Sequence, residues 1–143
     1  MAYATVTDMI ATFSEREMLA VSNVDYPTAT TINEDVVNRA IADSDAEIDS
    51  YLGVRYAVPL TTTIPARITS ICCDLARHRL DRNRPREEVV QRRDRALFFL
   101  KDIAAGKATL PELDLLNNSS SQKDTAYYFS GGRRWTQDSL SDY

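Results

Sequence analysis

The stretch INEDVVNRAIADSDAEIDSYLG, residues 32–53, decides between helix and strand. Val36, Val37, Ala40, Ile41, Ser44, Ile48 and Tyr51 return at the 3.6-residue spacing of one helix face, where a half-buried strand would alternate every second residue. Asn33 stands where a short polar side chain caps a first turn, and Gly53 marks the end. The remaining faces carry Asp35, Asp43, Asp45 and Asp49, with Glu47 at the margin. A long amphipathic helix is the prediction, and a solvated acidic face is the plain reading of its carboxylates.

Downstream, GVRYAVPLTTTIP (53–65) is too rich in turn and β-branched residues to continue the helix. Pro65, suited to a first helical turn, opens ARITSICCDLARHRLDRNR, with an apolar stripe of Ile68, Ile71, Cys72, Leu75 and Ala76 that Pro85 ends. A further helix runs from about Arg86 to Ala105 with Val89, Ala96, Leu97, Leu100, Ile103 and Ala104 inward and Gly106 as its stop. Upstream, Thr5 or Thr7 caps a short helix bearing Met9, Ile10 and Phe13. SERE (14–17) then predicts a capping box in which Ser14 and Glu17 exchange bonds with orphan amides. YPTATTI (26–32) is loop, with Tyr26 held extended by Pro27.

Amphipathic segments joined by short loops bury their stripes against one another, so the expected fold is all-α, a four-helix bundle-like body over residues 1–116. Residues 117–143, NNSSSQKDTAYYFSGGRRWTQDSLSDY, lack periodicity and open with a polar run that reads as linker. This mostly irregular C-terminal tail holds the only tryptophan, Trp135, and Tyr127, Tyr128 and Tyr143 of the seven tyrosines. Aromatic and arginine side chains dominate many interfaces, which makes Tyr127, Tyr128, Phe129, Arg133, Arg134, Trp135, Leu140 and Tyr143 candidate partner-docking residues, with Gly131 and Gly132 as the bend between them.

Composition argues against chemistry. One histidine, His78, precludes a two-histidine metal site, and glycines only at 53, 106, 131 and 132 provide no phosphate-cradling loop. No nucleophile-elbow or zinc-helix motif is present, so the chain is expected not to be an enzyme and to need no cofactor. The adjacent Cys72 and Cys73 offer neither a disulfide nor ligand spacing, and at least Cys72 is expected in the core of a protein from a reducing compartment. The longest apolar cluster, ALFFL (96–100), is too short to span a bilayer, and no export signal opens the chain.

Charge is segregated. Residues 1–54 hold two basic and ten acidic side chains, a net of −8, whereas residues 55–107 hold twelve basic and six acidic, a net of +6. Such halves can satisfy each other inside one fold, between copies, or through a polyanion on the basic half. The run RHRLDRNRPR (77–86), with Arg92, Arg93 and Arg95, is the case for nucleic acid. Against it, acidic residues are interleaved, no aromatic intervenes for stacking, and Arg79 and Arg93 fall on the apolar stripes, positions from which arginines reach acids on facing helices. A contact between copies is therefore expected to use Asp43, Asp45, Glu47 and Asp49 against Arg82, Arg84, Arg92 and Arg95. Phe98, opposite the stripe of its helix, is either a lone exposed side chain or one covered by the tail or by a second subunit, and it joins the residues expected at that contact.

Three groups of residues, taken together, resemble a known family. They are Tyr51-Leu52-Gly53 leading to Pro59-Leu60; Asp74-Leu75-Ala76-Arg77 followed by Leu80; and Leu100-Lys101-Asp102-Ile103-Ala104 with Gly106 and Leu110, ahead of a terminal RRWTQDSL. The chain resembles, over nearly its whole length, the Mu-like phage family of small head-completion proteins, the head-to-tail connectors or adaptors. That resemblance implies a structural subunit of the virion neck, assembled in the bacterial cytoplasm. Its copies would form a ring of about twelve, closed by one heterologous contact, beneath the portal protein and above a stopper or tail-completion protein. DNA would pass through the lumen without specific binding, and no membrane would be involved. The other class open to the sequence is a small DNA-binding phage protein using residues 77–95 as a basic hairpin.

Overall fold

A computed structural model describes residues 1–61, 63–81 and 84–113. Among these residues five helices follow in order: α1 (Val6–Phe13), α2 (Glu15–Ser22), α3 (Glu34–Leu52), α4 (Ala66–Leu80) and α5 (Glu87–Ala104). No strand occurs among the described residues, and the fold is all-α. α4 packs against both α3 and α5, which also meet each other; α1 leans on α3 and α4, and α2 on α1 and α3. The two short N-terminal helices together supply the fourth packing segment. The tail expected over 117–143 lies outside the described residues, as does Arg82.

The stripes read from the sequence become the core. α3 buries Val37, Ala40, Ile41, Ser44, Ile48 and Leu52, and α4 buries Ile68, Ile71, Cys72, Leu75, Ala76 and Leu80. α5 adds Val89, Ala96, Leu100 and Ile103, while Met9 and Met18 close the core from α1 and α2. Each large apolar side chain fully removed from water contributes roughly 1.5–3 kcal/mol before the entropy of ordering the chain is subtracted. Both cysteines are buried free thiols.

Helix ends follow local chemistry, with two departures from expectation. Thr5, rather than Thr7, caps α1 through a reciprocal box: its hydroxyl accepts from the Asp8 N–H at 3.2 Å, and its own N–H donates to the Asp8 carboxylate at 2.8 Å. Pro65 occupies the cap position and not the first turn of α4, its carbonyl accepting from Ile68 at 2.8 Å and Thr69 at 3.2 Å. The box at 14–17 is only half formed: Ser14 Oγ accepts from the Glu17 N–H at 3.5 Å, but the Glu17 carboxylate turns away to arginines of the α4–α5 region. A buried cation outcompetes a solvent-exposed amide for that carboxylate.

Gly106 stops α5 at φ 77°, with the Lys107 N–H donating to the Asp102 carbonyl at 2.8 Å and its own N–H to that of Ile103 at 3.0 Å, the paired bonds of a Schellman end. A Cβ there would lie 2.0 Å from Arg55 Nη1, so the bare glycine also lets that guanidinium lie across the helix end.

Ser14 joins α1 to α2 at φ 78°, ψ 151°, a region that side-chain-bearing residues rarely occupy. It persists because the residue serves both helices, donating its N–H to the Ile10 carbonyl at 2.9 Å while capping α2. Ser14→Gly is therefore expected to raise stability by about 0.5–1 kcal/mol, since glycine removes the strain and costs only a few tenths as a cap. Chemical denaturation of both proteins measures it; a loss of stability would show that the hydroxyl outweighs the backbone.

Side-chain ties set the loops. Asn23 donates to the Thr31 carbonyl at 2.8 Å and the Leu19 carbonyl at 3.1 Å, while Ser22 Oγ accepts from the Asn33 N–H at 3.1 Å, drawing the end of α2 to the start of α3. The buried Tyr56 hydroxyl accepts from the Leu110 N–H at 2.9 Å, fastening the 53–65 connector to the segment after α5.

Candidate subunit interface

The acidic helix α3 is less solvated than its composition suggests. Asp45 accepts from the Tyr3 N–H at 3.2 Å and from the Cys72 thiol at 3.1 Å, and Asp49 accepts from the Tyr3 hydroxyl. That hydroxyl in turn accepts from the Leu60 N–H at 3.0 Å. The i, i+4 carboxylates thus clamp one buried tyrosine and pin the N-terminal segment and the connector to α3. Asp45 and Asp49 are half-buried structural groups, which corrects their reading as part of a solvated face.

Burial pushes the Asp45 carboxyl above the usual carboxylate range, and does the same to Asp74, partly offset there by Arg92. Burial likewise raises the Cys72 thiol, with the bond to Asp45 adding to it, and raises Cys73 to about 11. Both thiols are therefore protonated and unreactive at neutral pH.

A folded carboxyl that holds its proton more tightly than the unfolded one makes folding take up protons between the ordinary value near about 4 and the raised one. Its contribution is fullest below that window and declines as pH climbs through it. Asp45→Asn keeps an acceptor for Tyr3 and Cys72 without the charge, so its melting temperature is expected to gain on the parent as pH rises through the window. His78 is pushed the other way by burial and by Arg93, so its contribution is lost as pH falls below about 6.5. Melting curves of parent and Asp45→Asn from pH 4 to pH 8 separate the two; a constant difference would remove Asp45 as the source.

On the basic side the decisive residue is Arg77, 2% exposed. Its Nε donates to Glu17 at 2.9 Å, Nη2 pairs with the same carboxylate at 2.8 Å, and Nη1 stands 3.3 Å from Asp81. Arg86 reaches Glu17 from the other side. Arg79 meets Glu47 of α3 at 2.5 Å, the facing-helix contact expected of it, whereas Arg93, among the described residues, pairs only with its neighbour Asp94 at 3.1 Å. Arg92 donates to Asp74 at 2.9 Å and lies over the Phe13 ring at 4.9 Å, binding α5 to α4 and α1. Much of the sequence's charge asymmetry is thus met inside one chain.

Of the residues expected at a contact between copies, Asp45, Glu47, Asp49 and Arg92 have partners within the chain. Asp43, Arg84, Arg95 and Phe98 are exposed, Phe98 at 66%. Arg82 and the docking candidates Tyr127, Tyr128, Phe129, Arg133, Arg134, Trp135, Leu140 and Tyr143 fall outside the described residues. Tyr3 was not singled out by sequence, and Glu17, Arg77 and Arg86, read there as a cap, a motif residue and the end of a basic run, were not expected to pair with one another.

Two open clefts share Asp43 and Arg79. One of ≈ 380 Å³ includes Asp35, Arg39 and Leu80; the other, of ≈ 580 Å³, includes Glu47, His78 and Arg93. A third, ≈ 500 Å³, lies between α2 and the α4–α5 connection and is lined by Ser14, Arg16, Glu17, Val21, Arg77 and Arg86. Among the described residues no three His, Cys, Asp or Glu side chains converge as metal ligands, and no helix is long and apolar enough to cross a membrane.

Fold and surface together define a small all-α body cross-linked by ion pairs, with further acidic and basic residues left outward. The chain belongs to the Bacteriophage Mu gp36 family, whose model matches residues 3–127. It is 30% identical over 107 residues to gene product J of Escherichia phage Mu, covering 75% of this chain and 74% of that protein. It is also 38% identical over 84 residues to the Mu-like prophage FluMu protein gp36 of Haemophilus influenzae. That match spans 59% of each chain.

Proposed function

We propose that this chain is a structural subunit of the phage particle, a head-to-tail connector whose copies form a ring in the virion neck, below the portal protein and above a stopper or tail-completion protein. DNA passes through its lumen without specific binding, and the subunit performs no catalysis. The observation that carries the reading is the family match across residues 3–127, joined to the sequence's resemblance to head-completion proteins. A body stapled by Arg77, Tyr3 and Arg92 suits a part that must hold its shape under force. The 117–143 segment, with Trp135 among its anchors, is the part assigned to the neighbouring protein.

Phage carrying a deletion of the gene should yield DNA-filled heads without tails, or heads that leak, and images of intact particles should place the protein between portal and tail. Normal, infectious particles from the deletion would overturn the reading. The other reading, a DNA-binding basic hairpin, is weakened because Arg77, Arg79, Arg86 and Arg92 are occupied by carboxylates of the same chain. It predicts DNA affinity that falls steeply with salt, whereas a connector shows little at any salt.

A further inference from the structure

Internal pairing changes which charges remain for a neighbour. On α3, Asp35 and Asp43 are exposed on one side of the helix and have no ion pair among the described residues, with Arg39 between them. On the opposite account, Arg16 and Arg84 are exposed and likewise unpaired among the described residues, and Arg86 keeps 59% of its side chain in solvent beside Glu17. Arg16, Arg77 and Arg86 line one cleft, where Glu17 and Asp81 balance only part of their charge.

That cleft contains an independent sign of an unmet partner. Arg77 Nη1 is buried and makes no hydrogen bond within the described residues, Asp81 standing near it but off the N–H direction. A buried guanidinium donor without an acceptor is costly, and an incoming carboxylate or carbonyl oxygen relieves it.

We infer that the α2/α4–α5 cleft of one copy, lined by Arg16 and Arg86 with the exposed Arg84 just before it in the chain, receives the Asp35–Asp43 side of α3 from a second copy of this chain. The inference rests on the connector reading and deepens it, naming the two dissimilar patches that a heterologous ring contact requires. It moves the acidic partner away from Asp45, Glu47 and Asp49, which the fold uses, and moves the basic partner from Arg92 and Arg95 to the cleft. Opposite charge is the argument for a second copy as occupant: each chain carries both patches, and neither matches itself.

The test is a mixing experiment on the full chain. One variant carries Arg16→Glu and Arg84→Glu; the other carries Asp35→Lys and Asp43→Lys. These are exposed positions outside the internal ion pairs, so both variants should keep the parent's circular dichroism and melting temperature. Each variant alone should self-associate at least about tenfold more weakly than the parent in sedimentation, since like charges then face each other. Mixed in equal amounts they should associate again, because each presents what the other lacks, and a ring of even number closes with alternating copies. Parent-like assembly of either variant alone, or a mixture that stays monomeric, overturns the assigned patches while leaving the connector reading to the particle images. A parent chain that remains monomeric at every attainable concentration overturns the docking of copies itself.

Discussion

Arg77→Ala is expected to lower stability by about 3 kcal/mol or more, because it opens a core position and strips a half-buried carboxylate of its main partner. For a chain of this length that corresponds to a fall of about 10 °C in melting temperature. The arginine is 2% exposed, and its fork holds Glu17 of α2 through two nitrogens, with Asp81 beside it. Arg77→Lys should recover little, since one ammonium cannot reproduce two directed donors. Arg77→Met should fall between Ala and the parent: it refills the space, and Arg86 still faces Glu17. An alanine variant within about 0.5 kcal/mol of the parent, a change typical of unremarkable surface sites, would show that α2 is held by its apolar contacts alone.

Tyr3→Ala should cost about 3–5 kcal/mol, the usual range for emptying an aromatic site in a core. Tyr3→Phe isolates the hydroxyl and should cost about 1–3 kcal/mol, because the buried Leu60 amide and the Asp49 carboxylate both lose their partner. Denaturation of the two variants divides packing from hydrogen bonding. Equal effects would assign everything to the hydroxyl, and a silent Tyr3→Phe would assign everything to the ring.

These two residues also show what a sequence exposes and what it hides. The stripes of α3, α4 and α5 were legible because each is a local repeat, and most of their residues are buried, although Val36, Tyr51, Leu97 and Ala104 stay partly exposed and Leu52, Cys73 and Leu80 join the core from beside them. Arg77 lay in reach of the same reading, on a row with Cys73 and Leu80 at helical spacing, but its charge argued for the surface. Arg79 and Arg93 drew attention instead, and neither is buried. Tyr3 gave no periodic signal at all, since its partners at 45, 49 and 60 are brought near only by the tertiary fold. The acidic residues of α3 likewise look alike in sequence, and only packing divides structural Asp45 and Asp49 from outward Asp35 and Asp43.

The N-terminal clamps impose an order of events on synthesis. Tyr3 must wait for Asp45 and Leu60, and Glu17 for residues as far along as Arg77 and Arg86. At translation rates of roughly 5–20 residues per second, the first two helices leave the ribosome several seconds before their partners exist. During that interval Met9 and Met18, both fully buried in the finished body, have nowhere to go. Residues 1–22 are thus made ahead of the partners that hold them, and Tyr3 and Glu17 can take their places only once Leu60, Arg77 and Arg86 have followed.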